Sequence, residues 1–405
     1  MASLDVSTAT AILKELYTNQ RVTELSYKNA PLYAMLRKET DFTGELFPLP
    51  MRVTNPQGRS NTFSNAKAQK TASVYRAFNL TRTRDYSLAS ISSEAMLASE
   101  NNAGAFIKLA TAEMDGAIES LKRSITWALY GSGSGKIGTV AVGGITGSTL
   151  TLANAEDITR FEVNQTINIW SAESGGAQRL FATSASVLVT AVDRDAGTVT
   201  FAEAVTGGSA TIAAGDSIFV AGDRGLKLTG LAGWIPSVAP TSGDQFFGVD
   251  RSVDATRLAG NRLTLTAKPI DEALVDMARR IGREGGQPDV AILGFSKYAS
   301  LEKTLQQRVQ YEDVEVAGIS FTGIKIAGPM GKIVVLPDQD CPQDRGYMLK
   351  KDSWVFKSLG EPVRLLNADG NSMLRENDAD AYEVRIGTYS NLGCDEPKAN
   401  GVMIF

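Results

Sequence analysis

The sequence predicts an α+β protein carrying an inserted small all-β barrel or sandwich, on three observations. A single apolar stripe runs through Asn101–Tyr130 at three- and four-residue steps, as a long helix requires. The stretch 131–224 is rich in Gly, Thr, Ser, Ala and Val, and short strand signals recur in it every ten to fifteen residues. Beyond it, two well-bounded helices are interspersed with apolar runs of strand length.

Composition narrows what such a chain can do. Its 405 residues suffice for two or three structural units, and 43% hydrophobic with 21% charged residues is ordinary for globular protein. A net charge of -4 gives no overall attraction to nucleic acid or an anionic membrane. Two cysteines, Cys341 and Cys394, allow neither a disulfide framework nor a cysteine metal cluster, and they read as small buried residues. Histidine is absent, which removes Ser-His-Asp and Cys-His catalysis, histidine-ligated metals and histidine pH switches together. Carboxylate and lysine chemistry survive, but the balance points away from an enzyme. The opening MASLDVSTAT lacks a basic and apolar leader, and no run of about 18 apolar residues occurs. The expectation is a chain kept in a reducing cytoplasm or released from it by lysis, with no membrane partner.

Residues 1–40 read as an N-terminal arm. Ser7 can cap a short helix carrying Ile12, Leu13, Leu16 and Tyr17, and Pro31 in NAPLYAML (Asn29–Leu36) starts another. Neither piece can build its own core, so both must lie on something else. Residues 41–92 read as an extended hairpin loop. LFPLPMRV (Leu46–Val53) is held extended by two prolines, TNPQGRSNTFSNAKAQKT (Thr54–Thr71) is a polar tip, and Ser73–Ser90 is a second extended run. Seven basic residues fall here, Arg52, Arg59, Lys67, Lys70, Arg76, Arg82 and Arg84, with no acidic residue between the first and last.

Residues 93–130 are assigned to a spine helix. Its stripe is Ile107, Ala110, Met114, Ile118, Leu121, Ile125 and Ala128, with Glu119 and Arg123 a favourable pair. Glycines in GSGSG (Gly131–Gly135) end it. The insert, 131–224, is expected to form about six short antiparallel strands: TVAV, STLTL, QTINIWS, SVLVTAV, GTVTF and DSIFV. From 225 to 366 the α+β pattern resumes. Pro269 opens a helix through Glu284, VAILG (Val290–Gly294) is a buried strand, and Ser296 caps a helix to about Gln307. ISFTGIKIAG, KIVVLPD, GYMLKK, SWVFK and PVRLL read as further strands. Residues 367–405 hold a long strand, YEVRIGTYSNLG, returning to a closing GVMIF.

Few motifs carry chemistry. GSGKIG (Gly133–Gly138) has dinucleotide spacing but follows a helix where the fingerprint must follow a strand, so it reads as a flexible joint and no cofactor is expected. Asp338/Asp340 and Glu376/Asp378/Asp380 are spaced for an oxygen-ligated cation, yet read first as solvated loops. The basic hairpin could grip phosphates or lie on an acidic protein surface. Its sparse aromatics (Phe63, Tyr75, Phe78) favour protein contact over base stacking.

The order of arm, basic hairpin, long helix and α+β domain resembles the major capsid proteins of tailed phages, the Hong Kong ninety-seven type, which also builds encapsulins. NAPLYAML, GLAGWIP (Gly230–Pro236) and EVRIGTYSNLGCDEPKANGVMIF (Glu383–Phe405) look like segments of that family. The resemblance spans nearly the whole chain, with 131–224 an insertion domain. It implies a peripheral domain built on the spine, an axial domain over 225–366, and hexamers and pentamers closing into an icosahedral shell around a genome. It also implies scaffolding, portal and decoration proteins as further partners and packaged DNA as a neighbour. In that arrangement the hairpin cations would meet carboxylates of a neighbouring subunit, the candidates being Asp369, Glu376, Asp378, Asp380 and Glu383. An encapsulin-like compartment, or an oligomeric carbohydrate- or nucleic-acid-binding β protein, are the alternatives.

Overall fold

A computed structural model describes residues 30–94, 103–205, 211–266, 268–305, 311–316, 319–367, 370, 373–377 and 379–405, with backbone alone for 103–111, 314–316 and 319–321. The arm helix expected at Ser7–Tyr17 lies outside the described residues. The described chain opens with helix α1 (Pro31–Met35) and strand β1 (Arg37–Glu39). This segment is not left to a neighbour. Ala30, Leu32, Tyr33, Leu36 and Phe42 are buried in the chain's own main core, and β1 runs parallel to a later strand, Trp354–Ser358. Lys38 Nζ donates to the carbonyls of Tyr33 (2.6 Å), Ala34 and Leu36 (both 3.1 Å), satisfying the end of so short a helix.

Strands β2 (Leu46–Thr54) and β3 (Val74–Thr81) pair antiparallel from Leu46↔Thr81 to Thr54↔Val74, with helix α2 (Phe63–Ala68) in the connecting tip. The extended run expected over Ser73–Ser90 breaks at Arg82. Strand β4 (Thr83–Ser92) leaves the hairpin for another sheet, and the reason is its alternation: Ala89 and Ile91 face the core while Arg84, Tyr86, Leu88 and Ser90 face out. Helix α3 (Ala103–Tyr130) is the uninterrupted spine, burying Met114, Ala117, Ile118, Leu121, Ile125 and Leu129 along one side. Ile107 and Ala110 of the expected stripe fall where only backbone is described. Glu119 meets both Lys122 (3.3 Å) and Arg123 (4.0 Å).

All six strands expected in the insert are present: β5 (Lys136–Thr146), β6 (Thr149–Leu152), β7 (Thr166–Trp170), β8 (Val187–Asp193), β9 (Thr198–Phe201) and β10 (Ser217–Val220). They close into a barrel in the order β10-β5-β6-β9-β8-β7, every pair antiparallel. Its interior is filled by its own cluster, including Val140, Leu150, Ile169, Phe181, Val189, Phe201 and Ile218, separate from the main core. Entry and exit chains meet at the root, where the Gly225 amide donates to the Ser134 carbonyl at 2.7 Å. The glycine joint is crowded rather than flexible: Gly135 has φ +77°, and a Cβ there would lie 2.7 Å from the Asp223 carbonyl oxygen. Lys227 Nζ ties the root down, reaching Asp85 (3.0 Å), Ser124 Oγ (2.9 Å) and Asp223 (2.9 Å). Clefts of about 310 and 440 Å³ flank the joint.

After the barrel come α4 (Leu231–Trp234), the small ribbon β11 (Gln245–Phe246) and β12 (Val249–Asp250), α5 (Ala255–Ala259) and β13 (Asn261–Thr264). Then follow α6 (Ile270–Arg283), β14 (Val290–Leu293), α7 (Phe295–Leu305), β15 (Tyr311–Val316), β16 (Ile319–Gly328), β17 (Gly331–Pro337) and β18 (Arg345–Leu349). The chain finishes with β19 (Trp354–Ser358), β20 (Arg364–Leu365), β21 (Leu374–Arg375), β22 (Ala381–Cys394) and β23 (Gly401–Ile404). Two sheets result. A mixed seven-stranded sheet runs β13-β23-β18-β14-β17-β16-β15. One face packs on α6 and α7 through Ala291, Leu293, Ile333, Val335 and Met403; the other joins the main core through Val290, Ile292, Val334, Leu336 and Val402. Both faces are covered, which is why VAIL is apolar throughout instead of alternating.

The second sheet gathers β1, β19, β22, β20, β21 and β4, with the spine helix against β4 and β22. SWVFK and PVRLL, expected beside the other strands of the α+β domain, belong here instead. Asn400, fully buried between the sheets, holds them together. Its Oδ1 accepts from the Lys350 amide (2.8 Å) and Trp354 Nε1 (2.9 Å), its Nδ2 donates to Ser353 Oγ (3.0 Å), and its carbonyl accepts the Asn261 amide (2.9 Å).

Candidate assembly surfaces

The hairpin divides into a rooted base and an outlying tip. At the base Leu49, Val53, Phe78 and Leu80 are buried. Phe78 packs edge-on against Trp234 and Phe246, with ring centroids at 5.1 and 6.1 Å, and Trp234 Nε1 donates to the Leu392 carbonyl at 2.9 Å. The Asn79 amide donates to the Phe247 carbonyl (3.0 Å), and Asn391 Nδ2 donates to that of Thr81 (2.7 Å). This end of the hairpin cannot move without breaking the core.

Beyond Thr54 and Val74 the side chains of 55–73 are exposed, apart from partly covered Ala66 and Ser73. The tip is ordered by its own bonds: Thr62 Oγ1 caps α2 through the Asn65 amide (3.4 Å), and Thr71 Oγ1 accepts from the Gln57 amide (3.0 Å). Phe63 stands 85% exposed on α2, and Tyr75 is 64% exposed near the start of β3. Exposed aromatics on a tip that has no core of its own are surface waiting for cover.

The seven cations do not act alike. Arg52, Arg59, Lys67, Lys70 and Arg76 are exposed, and among the described residues none forms an ion pair with a carboxylate of the chain. Arg82 is committed internally: its Nη1 donates to the carbonyls of Phe42 (2.9 Å) and Gly44 (3.4 Å), and its guanidinium lies 5.6 Å from the Phe42 ring centroid. Arg84 sits on the outer face of β4, paired in register with Tyr389. That face also carries Tyr86, whose hydroxyl is 3.4 Å from that of Tyr389, and the guanidinium of Arg364 lies 5.3 Å from the Tyr389 ring centroid.

Of the candidate acceptors, Asp369 and Asp378 lie outside the described residues. Glu376 is partly buried and Asp380 is exposed at the free end of β22, 3.8 Å from Arg375. Glu383 is occupied by Arg385 two residues along the strand. Among the described residues no hairpin cation forms an ion pair with Glu376, Asp380 or Glu383. The exposed hairpin cations and these sheet-edge carboxylates, two of them already beside an arginine, lie on different elements of the chain.

The other motifs resolve differently. Among the described residues no group of three or more His, Cys, Asp or Glu is arranged to hold a metal. Asp338 and Asp340 are not a solvated loop: Asp338 is 2% exposed and accepts from the Tyr130 hydroxyl at 2.7 Å, and Asp340 accepts from Trp127 Nε1 at 2.8 Å. Sequence reasoning missed this junction, although an aspartate directly after the apolar run KIVVLP was a signal for it. Cys341 and Cys394 are buried, and burial pushes both thiols up, away from reactivity.

No family model and no curated protein matches the chain. Among solved structures, it is similar over 93% of its length to 92% of a chain in the cyanophage A-1(L) capsid asymmetric unit, at 12% identity and a TM-score of 0.49. It is also similar to the holo-SrpI encapsulin complex of Synechococcus elongatus PCC 7942 (10% identity, TM-score 0.46, 93% of this chain and 88% of that one). The capsid of Myoviridae phage XM1 gives 9% identity and a TM-score of 0.45, over 93% and 91% of the two chains.

Proposed function

We propose that the chain is a structural, non-enzymatic subunit of a tailed-phage capsid, self-assembling through hexamers and pentamers into an icosahedral shell around the genome. One observation carries the reading. A rigidly rooted hairpin presents a tip whose aromatics are uncovered and whose cations have no acidic partner among the described residues, while a carboxylate-bearing sheet edge lies elsewhere on the same molecule. Such a pair of unlike surfaces makes a heterologous, head-to-tail interface, and repetition of that interface around an axis closes a ring. In this reading Arg52, Arg59, Lys67, Lys70 and Arg76 of one copy face Glu376, Asp380 and the 369–383 region of the next, with Arg84 at the margin.

The element order set out from the sequence supports the same conclusion. The filled barrel speaks against a carbohydrate-binding lumen, since its interior is occupied by its own side chains. Scaffolding, portal and decoration proteins are the further partners, packaged DNA is a neighbour through proximity, and the assembled form belongs to the virion after assembly in the host cytoplasm. Sedimentation and electron microscopy of the purified chain test the reading. Rings or shells are expected at moderate concentration; a sharp species at the chain mass of 43.2 kDa, persisting at high concentration and with assembly partners added, would overturn it.

A further inference from the structure

Strand β4 leaves one row of its backbone groups without a strand beside it. Among the described residues it pairs with β22 alone. On β22 the carbonyls of Ala381, Arg385 and Tyr389 accept the amides of Glu376, Leu366 and Leu359, each at 2.9 Å, on the side away from β4. The even-numbered residues of β22 therefore face β4, where they meet Thr83, Asp85, Ser87, Ala89 and Ile91. Arg84, Tyr86, Leu88 and Ser90 direct their N–H and C=O groups outward. The Tyr86 amide donates to the Asp85 carboxylate at 3.1 Å, but among the described residues no other strand reaches Leu88 or Ser90 from that side.

Two other strand edges are closed. Opposite Asn79, whose amide turns away from β2 to Phe247, β2 presents Pro48, and two residues on Pro50; neither has an N–H to offer. On β13 the Arg262 carbonyl accepts Arg280 Nη1 at 2.6 Å. Over 86–92 β4 has neither a charge nor a proline, and Tyr86 and Leu88 are exposed beside the edge. An edge of that kind recruits another strand. The cleft of about 310 Å³ adjoins it, between Tyr86 and Ser87, Ser120 and Ser124 of the spine, and Gln165 and Val220 of the barrel. Short spine side chains leave its floor open, and the barrel wall leaves width for one extended chain rather than for a second sheet.

We propose that this edge is a strand-addition site and that its occupant is the arm stretch 22–27. Residues 1–29 lie outside the described residues. In their sequence Thr23, Leu25 and Tyr27 alternate with Glu24 and Ser26, the two-residue period of a strand. With that parity outward, Leu25 and Tyr27 cover the exposed Leu88 and Tyr86. The arm also leaves the core in the right place. Ala30 is buried there, and Asp338 joins the Leu32 amide (3.5 Å) to the Tyr130 hydroxyl (2.7 Å) in the turn of the spine whose Ala128 lines the cleft. The 29 residues before it extend up to about 95 Å, so reach is no obstacle.

Disulfide trapping on the full chain tests this, because Cys341 and Cys394 are buried and leave engineered thiols as the reactive pair. Ser90→Cys is combined with one cysteine at each of Val22, Thr23, Glu24, Leu25, Ser26 and Tyr27, oxidised, and read by non-reducing electrophoresis and peptide mapping. Facing residues on neighbouring strands have Cα atoms about 4.5–5.5 Å apart, within disulfide reach, and the next residue points to the other face. Yields should therefore alternate along 22–27, at least tenfold higher at one parity, whether the bond forms within one chain or between two. Adding Leu88→Pro, which removes only an outward N–H, should cut the high yields at least fivefold, while Leu88→Ala should not. Uniform yields, or no bond at any position, overturn the proposal, and this stands even if Leu88→Pro fails to fold. Equal losses in Leu88→Ala and Leu88→Pro overturn strand addition in favour of side-chain packing. Protected Leu88 and Ser90 amides in hydrogen exchange, without any bond to 22–27, give the edge to a different segment and overturn the assignment.

Discussion

Excising the barrel is a perturbation whose cost can be worked out from its root. The Gly225 amide already donates to the Ser134 carbonyl at 2.7 Å. Replacing Gly135–Arg224 by two glycines would make that contact the closing bond of a four-residue β-turn, with Ser134 first and Gly225 last. No strand of the remaining sheets is cut, because the barrel pairs only with itself and its apolar cluster is separate from the main core. What the rest of the chain loses is a set of partly exposed polar contacts: Glu162 on Arg123, Glu173 on Ser132 and Ser134, and Asp223 on Lys227. Contacts of this kind contribute about 0–1 kcal/mol each, so the total of the four is under about 4 kcal/mol. Lys227 keeps Asp85 at 3.0 Å and is not left buried alone. The excised variant should keep the far-ultraviolet helix signal of the spine, α6 and α7 and unfold cooperatively, with a melting temperature lowered by less than about 10 °C. A non-cooperative melt, or loss of the helix signal at ambient temperature, would show that the barrel is part of the core after all.

Two further outcomes follow from the hairpin. Reversing Arg59, Lys67 and Lys70 to glutamate should weaken assembly in sedimentation while leaving the helix signal unchanged, and the gap between wild type and the milder neutral variants should narrow as salt screens the pairs those variants lack; normal empty shells from the triple reversal would sink the inter-subunit assignment, whereas normal shells that retain less DNA would favour a phosphate grip. Phe78→Ala removes a fully buried ring at the hairpin base and should cost about 3–5 kcal/mol in urea unfolding, against under about 1.5 kcal/mol for Phe78→Leu, and equal costs for the two would refute the packing account.

Periodicity made much of this fold legible. The spine stripe from Met114 onward, the six barrel strands and the helix opened by Pro269 stand where local pattern alone put them, since each is a signal contained within its own segment. What local pattern could not convey was partnership. Ser73–Ser90 reads as one extended run because nothing in its letters says that the residues after Arg82 pair with β22 rather than with β2. SWVFK reads like its neighbours KIVVLPD and GYMLKK, yet it belongs to the other sheet. Arg82 looks like one more hairpin cation, and only the fold turns it onto the carbonyls of Phe42 and Gly44. Asp338 was misread for the same reason: a polar residue between turn formers suggests solvent, whereas α1 and the spine arrive from distant parts of the sequence to bury it.

Asn400 decides where this molecule can bend. By bonding at once to Lys350, Ser353 and Trp354 and to Asn261, it welds the two sheets at the point where the chain crosses from one to the other. Copies that close a curved surface meet at unequal angles, and a welded block absorbs none of the difference. The compliance has to reside outside the weld, in the hairpin tip past Thr54 and Val74, because the barrel's root is itself crowded at Gly135 and tied down by Lys227. Superposed copies taken from positions of different curvature should therefore coincide through both sheets and diverge along the hairpin tip.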